Sequence, residues 1–208
     1  MRNIKASSLL AIILSSASHG FAADAPWQER WVFGYAGASG NSPVASSEKG
    51  LEGIYEFDSG WYVNAIYNVS KEKSGGTDNN ASNLNTTAIG GGYSFNLTSN
   101  TKGQIGYMYQ DSSVQNVEMG GVRVGTYRDL HIYGNGPVVR LVYKLNPALT
   151  ADLLVARFSY NTGVTNTNSR VGLSYEIQSN FFGRIDFHSI DRSDWNSTRW
   201  GIGLGYRF

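Results

Sequence analysis

The sequence gathers its candidate chemistry near its C-terminal end. Asp186-Phe187-His188 places a carboxylate and an imidazole two residues apart, and in an extended strand alternate side chains share a face. A carboxylate beside an imidazole is the core of a general base. Asp191 and Asp194 follow within a few residues and add acidity. His188-Ser189 offers a hydroxyl beside a base, but neighbouring strand residues point to opposite faces, so this pair does not share a site. The alternative for His188 is a hydrogen-bonded residue inside a closed structure. His131 has no partner that spacing identifies.

A wider set of charges recurs on one face of extended segments. Glu52, Glu56, Arg140, Lys144, Glu176, Arg184, Asp186, His188 and Arg199 form the core of it, and Asp58, Arg157 and Arg207 extend it. On a face shut away from lipid these groups can pair into a plug, since buried charge is tolerated when each member finds a partner. The competing reading is a narrow polar passage with a cationic stripe along segments 137–145, 182–188 and 198–208, suited to small polar or anionic solutes. The sequence has no phosphate-cradling Gly loop and no metal-ligand spacing, so neither a cofactor nor a metal is expected.

The elements that carry these residues read as strands. Trp200, Ile202, Leu204, Tyr206 and Phe208 alternate with Gly201, Gly203, Gly205 and Arg207, which gives one apolar face and one nearly bare face. Such a strand is an aggregation hazard in water but suits a wall with lipid on one side and a lumen on the other. Similar alternation recurs over 30–38, 51–58, 61–69, 87–97, 101–111, 137–145, 150–160, 171–177 and 182–188. Ten strands result, or eight if the weaker 101–111 and 150–160 are lost. Short connections at 58–60, 98–101, 146–149 and 178–180 alternate with longer ones at 39–49, 71–84, 111–134, 161–168 and 191–197. That asymmetry predicts an all-β, up-and-down antiparallel transmembrane barrel with both ends of the chain on the periplasmic side.

Outward aromatics are expected in two girdles, one of them including Trp31, Tyr55, Phe57 and Trp61, the other including Phe158, Tyr160, Phe187 and Trp200. Within the longest connection, Glu118-Met119-Gly120-Gly121-Val122-Arg123 reads as a hairpin tip, with Met119 opposite Val122 and Glu118 opposite Arg123. An exposed β tongue there can serve as an adhesive edge.

The chain has 208 residues, no Cys, 25 Gly and 13% aromatic residues. Arg2 and Lys5, the apolar run Ser8–Leu14 and the small residues Gly20 and Ala22 predict a secretory signal over residues 1–22, leaving the barrel over 23–208. Losing that leader removes Arg2 and Lys5 and turns the formal charge from +1 to −1, a balance that suggests neither a nucleic-acid partner nor a basic membrane-surface mode. Without disulfides in an oxidising compartment, closure of a hydrogen-bonded sheet supplies the rigidity.

Signal, alternation, loop asymmetry and a terminal Phe together resemble the small outer-membrane β-barrels that include the opacity and Ail/Lom-type surface proteins. The resemblance implies a structural or surface-interaction role through external loops rather than an enzyme, a place in the bacterial outer membrane among lipid and lipopolysaccharide, and recognition of Phe208 by the barrel-assembly machinery. An extracellular ligand is the further partner it implies. Asp186-Phe187-His188 is similar to the site of omptin proteases, but their second acidic pair has no counterpart beyond Asp78. His188-Ser189 resembles outer-membrane lipid A deacylases, whose His and Ser must share one face.

Overall fold

Alternating segments of this kind satisfy their backbone only by pairing sideways, and the chain closes that pairing on itself. The computed structural model describes residues 27–39, 44–74, 81–115, 117–119, 122–125, 131–192 and 196–208. The expected leader, Asp78, Gly120, Gly121 and Asp194 lie outside the described residues. The strands are β1 (Arg30–Ser39), β2 (Val44–Glu56), β3 (Trp61–Ser74), β4 (Ala81–Asn96), β5 (Thr101–Gln115), β6 (Val117–Met119), β7 (Val122–Gly125), β8 (His131–Lys144), β9 (Leu149–Tyr160), β10 (Thr165–Gln178), β11 (Phe181–Arg192) and β12 (Asn196–Arg207). Ten of them form a closed antiparallel barrel in the order β1-β12-β11-β10-β9-β8-β5-β4-β3-β2. The described residues contain no helix. Both segments on which an eight-strand count depended, β5 and β9, are full wall strands.

Closure is made by β1 against β12, with Val32 opposite Tyr206 and Ala36 opposite Ile202. Gly201, Gly203 and Gly205 keep the inner side of this seam bare, and the Phe182 ring packs over Gly205, where a Cβ would lie 2.2 Å from it. The β6–β7 hairpin forms its own two-stranded sheet, with Glu118 opposite Arg123 and Met119 opposite Val122, the register expected from the sequence.

One end of the barrel carries tight turns. At 57–60 the Gly60 amide donates to the Phe57 carbonyl at 3.0 Å, and Gly60 takes φ +85°, a conformation open to glycine. Asn146 Oδ1 accepts from the amides of Ala148 and Leu149, both at 2.9 Å, so the side chain imitates a backbone turn. At this end Gln28 and Arg30 bind Asp58 at 2.7 Å each and hold its exposed carboxyl below the usual range.

The opposite end, the loop end, differs from the sequence expectation in one respect. Several polar stretches read as loops are strand: β3 runs on to Ser74, β4 begins at Ala81, and β10 begins at Thr165, leaving only 161–164 as the link from β9. Hydropathic alternation fades there, whereas the backbone ladder continues without it.

The outer wall carries an apolar band. Ile89, Tyr107, Val139, Leu153, Val171, Phe187 and Ile202 are all exposed, from 43% upward. Aromatic rings meet along the turn end, with Trp61–Tyr93 at 5.7 Å, Phe181–Tyr206 at 5.1 Å and Tyr206–Phe208 at 6.3 Å between centroids.

Two strands face the other way from the sequence expectation. On β1, Trp31 and Phe33 point into the lumen, 5% and 1% exposed. On β9, Phe158 is inside at 2% exposed, Tyr160 is partly buried beside it, and Arg157 is outside. These strands carry apolar residues on both faces, so alternation by itself does not say which face meets lipid. Trp31, Phe158 and Tyr160 therefore belong to the lumen and not to a girdle.

The plugged lumen as candidate functional site

The lumen positions its charges by parity. Inward residues of a strand lie two apart, and the closed sheet brings those of distant strands face to face. Near the turn end the segment before β1 folds into the mouth. Glu29 accepts from Arg140 Nη1 at 2.5 Å and from Gln104 Nε2 at 3.0 Å. The Trp27 carbonyl accepts from Lys102 Nζ, and the Trp27 ring lies under Lys102 and Lys144, 5.2 and 4.2 Å from its centroid. Lys102 also donates to both Glu56 oxygens at 2.7 Å.

Deeper in, the carboxylates and guanidiniums form one connected network. Asp152 takes Arg184 Nη1 at 2.6 Å, Arg184 Nη2 at 3.1 Å and Arg140 Nε at 3.2 Å. Arg184 turns its other edge to Asp186, with Nη2 at 2.6 Å and Nε at 2.9 Å. Arg170 pairs with Glu52 through two hydrogen bonds, one of them at 2.9 Å. Towards the loop end, Arg199 donates to Glu48 at 3.0 Å, and Asn68 donates to the same carboxylate at 3.1 Å. At the rim of the turn end, Arg207 reaches Glu176 at 3.1 Å.

Inward aromatics line this network. Arg140 lies over Trp31 at 5.7 Å and Arg184 over Phe33 at 5.8 Å, contacts that favour a weakly hydrated guanidinium. Trp31, Phe33, Ile54, Tyr62 and Phe182 form one apolar cluster, and Ala88, Met108, Val138, Ala156 and Phe158 form another. Between Trp31, Glu52, Tyr62, Gln104, Arg140 and Leu154 lies a cavity of about 10 Å³, room for one water at most.

All nine lumen residues singled out from the sequence point inward. Glu52, Arg140, Arg184 and Asp186 sit in the deep network, Glu56 takes Lys102 at the turn-end mouth, Lys144 sits on Trp27, and Glu176 and Arg199 pair nearer the two ends. His188 faces inward opposite Arg170 and Arg199. Asp186 and His188 share the inner face, two residues apart on β11. The Asp186 carboxylate is held by Arg184, Ser189 and Asp191 lie on the outer face, and His131 meets Asp111 at 3.2 Å on the loop-end rim.

Sequence reasoning missed Glu29, Glu48, Lys102, Gln104, Asp152 and Arg170 as network members. Parity gives a signal for three of them: Lys102 and Gln104 lie in step with Met108, and Arg170 with Gly172 and Ser174. Nothing local marks Glu29, which precedes the first strand, or Asp152, which shares its face with Leu154 and Ala156.

No family model matches the sequence, and no curated protein matches it. Among solved structures the chain is similar to the NanC porin, with 13% identity, a TM-score of 0.50, and coverage of 85% of this chain and 100% of that one. It is also similar to the β domain of the Bordetella autotransporter BrkA (13% identity, TM-score 0.48, 87% and 99% covered) and to the KdgM porin (12%, 0.46, 86% and 99%). The fold is that of an outer-membrane β-barrel. At such identities the likeness reaches no further than the fold, and the residues that fill this outer-membrane barrel must speak for its function.

Proposed function

We propose that the protein is an integral barrel of the bacterial outer membrane whose filled lumen makes it a rigid, non-conducting support for its external strands and the 117–125 hairpin. Its role is structural or surface-interacting rather than catalytic. The buried ion pairs of the lumen, with a cavity of only about 10 Å³ among them beside Trp31 and Arg140, carry this reading, because a solute would have to break several of those pairs to pass. An enzyme role finds no support in the site, where Asp186 is committed to Arg184. Replacing His188 by Ala is expected to leave any peptidase or lipid-hydrolase activity of the purified barrel at background, as in the parent; a signal lost only in H188A overturns this.

A second reading, a gated passage for small anionic solutes, is favoured by one observation. Glu29 and Trp27 lie on the segment before the first strand, and they neutralise or cover Arg140, Lys102 and Lys144. Withdrawing that segment leaves a cationic mouth. Planar-bilayer recording separates the two. The intact barrel is expected to be silent, and discrete openings in it defeat the closed-lumen reading. Anion-selective openings confined to a W27A/E29A double variant favour the gated passage.

A further inference from the structure

Cations in this barrel divide into two groups. Those of the lumen each sit against a carboxylate or an aromatic ring, and the outward Arg30 at the turn end is paired with Asp58. Lys49, Lys71 and Arg157 have no carboxylate partner among the described residues, and all three are exposed on the outer wall. Each is the first outward residue beyond the apolar band on its strand. Lys49 follows Leu51 on β2, Lys71 follows Val69 on β3, and Arg157 follows Val155 on β9.

That placement has a physical consequence. A cation one step beyond the acyl zone keeps its stem on the apolar wall and its charge at the headgroup level. Among the described residues no carboxylate reaches these cations, and a phosphate of the outer leaflet is an anion placed at their level. Lys49 stands opposite Val69, and Lys71 stands opposite Ser47. The two lysines are therefore diagonal neighbours on adjoining strands, a spacing of about 7–8 Å or somewhat less between Cβ atoms. Flexible ammonium groups at that spacing can close on one phosphate or bracket two. The exposed Ser47 and the polar Asn83 opposite Lys71 offer hydroxyl and amide groups beside them. Arg157 lies on β9, across the barrel from β2 and β3.

We propose that Lys49 and Lys71 form a binding site for the phosphate groups of a phosphorylated glycolipid in the outer leaflet, and that Arg157 makes a separate contact on the far side. The proposal rests on the membrane reading above, with the loop end outward. The asymmetry of the wall supports it: unpaired outward cations occur at the loop-end rim and not at the turn-end rim among the described residues.

The test uses the full barrel in zwitterionic detergent, with bisphosphorylated lipid A as the probe. Heat-modifiable electrophoretic mobility first shows that each protein is folded in an amphiphile; its loss in the parent defeats the membrane reading itself. In folded protein, K49S/K71S is expected to lower lipid A affinity by about 10- to 30-fold, and K49R/K71R to retain it. Dephosphorylated lipid A is expected to bind the parent as weakly as the phosphorylated form binds the double variant. Equal affinity of parent and K49S/K71S overturns the site. Equal affinity of the parent for phosphatidylglycerol micelles and for lipid A overturns the glycolipid assignment.

Discussion

Replacing Asp152 by Ala is expected to destabilise the barrel by about 3–5 kcal/mol, the largest loss among single changes in the lumen. Asp152 is 4% exposed and holds two guanidiniums, Arg184 at 2.6 Å and Arg140 at 3.2 Å. Its removal leaves Arg140 with Glu29 alone and Arg184 with Asp186 alone, and the bridge that holds the two buried guanidiniums side by side is lost. Desolvation makes the loss large. Both arginines are almost wholly buried, so neither can turn to water for the missing hydrogen bonds. D152N keeps an acceptor without the charge and is expected to fall between D152A and the parent. Urea unfolding in detergent, followed by tryptophan emission and electrophoretic mobility, measures the effect. A D152A midpoint indistinguishable from the parent would show that the network is dispensable. A double-mutant cycle of D152A with Glu29→Ala tests connection, because both carboxylates bind Arg140 and their effects should not add.

The second large effect lies on the outside. Ile202 is 54% exposed, near the middle of the outward face of β12, with Ile185 and Ala36 opposite it. If that face meets acyl chains, Ile202→Lys costs about 2–4 kcal/mol, whereas Thr198→Lys, two outward positions nearer the loop end, costs about 0–1 kcal/mol. In water both faces of the comparison collapse, since an exposed lysine replacing an exposed isoleucine is nearly neutral. Folding yield into lipid vesicles, read for both variants, separates these outcomes. Equal yields for I202K, T198K and the parent would argue that the band does not face lipid.

These predictions depend on different kinds of information. The exterior was legible in the sequence because lipid imposes one rule on every outward position, and alternation reports it. On β12, Trp200, Ile202, Leu204 and Tyr206 are outward as the pattern requires. The same holds for β8, where Val139, Leu141 and Tyr143 face out and Arg140 and Lys144 face in. Turns were legible too, since Asn146 and Gly60 supply chemistry that a tight reversal needs. Alternation failed where both faces are apolar. β1 and β9 put Trp31, Phe33 and Phe158 inside, because bare glycines on β12 and small residues on neighbouring strands leave room for rings there.

The sequence by itself determined that this chain is a closed sheet of outward-greasy strands with charge on the inner face, because the period of two is written locally in each strand. Only the tertiary structure decided which charges meet. Glu52 finds Arg170 and Glu29 finds Arg140 across more than a hundred residues of chain, and partners that distant are set by barrel closure and register, which no single strand encodes. It also decided how the lumen is filled around Trp31 and Arg140, since filling depends on the summed volumes of side chains from ten walls and on a short segment tucked in before the first of them.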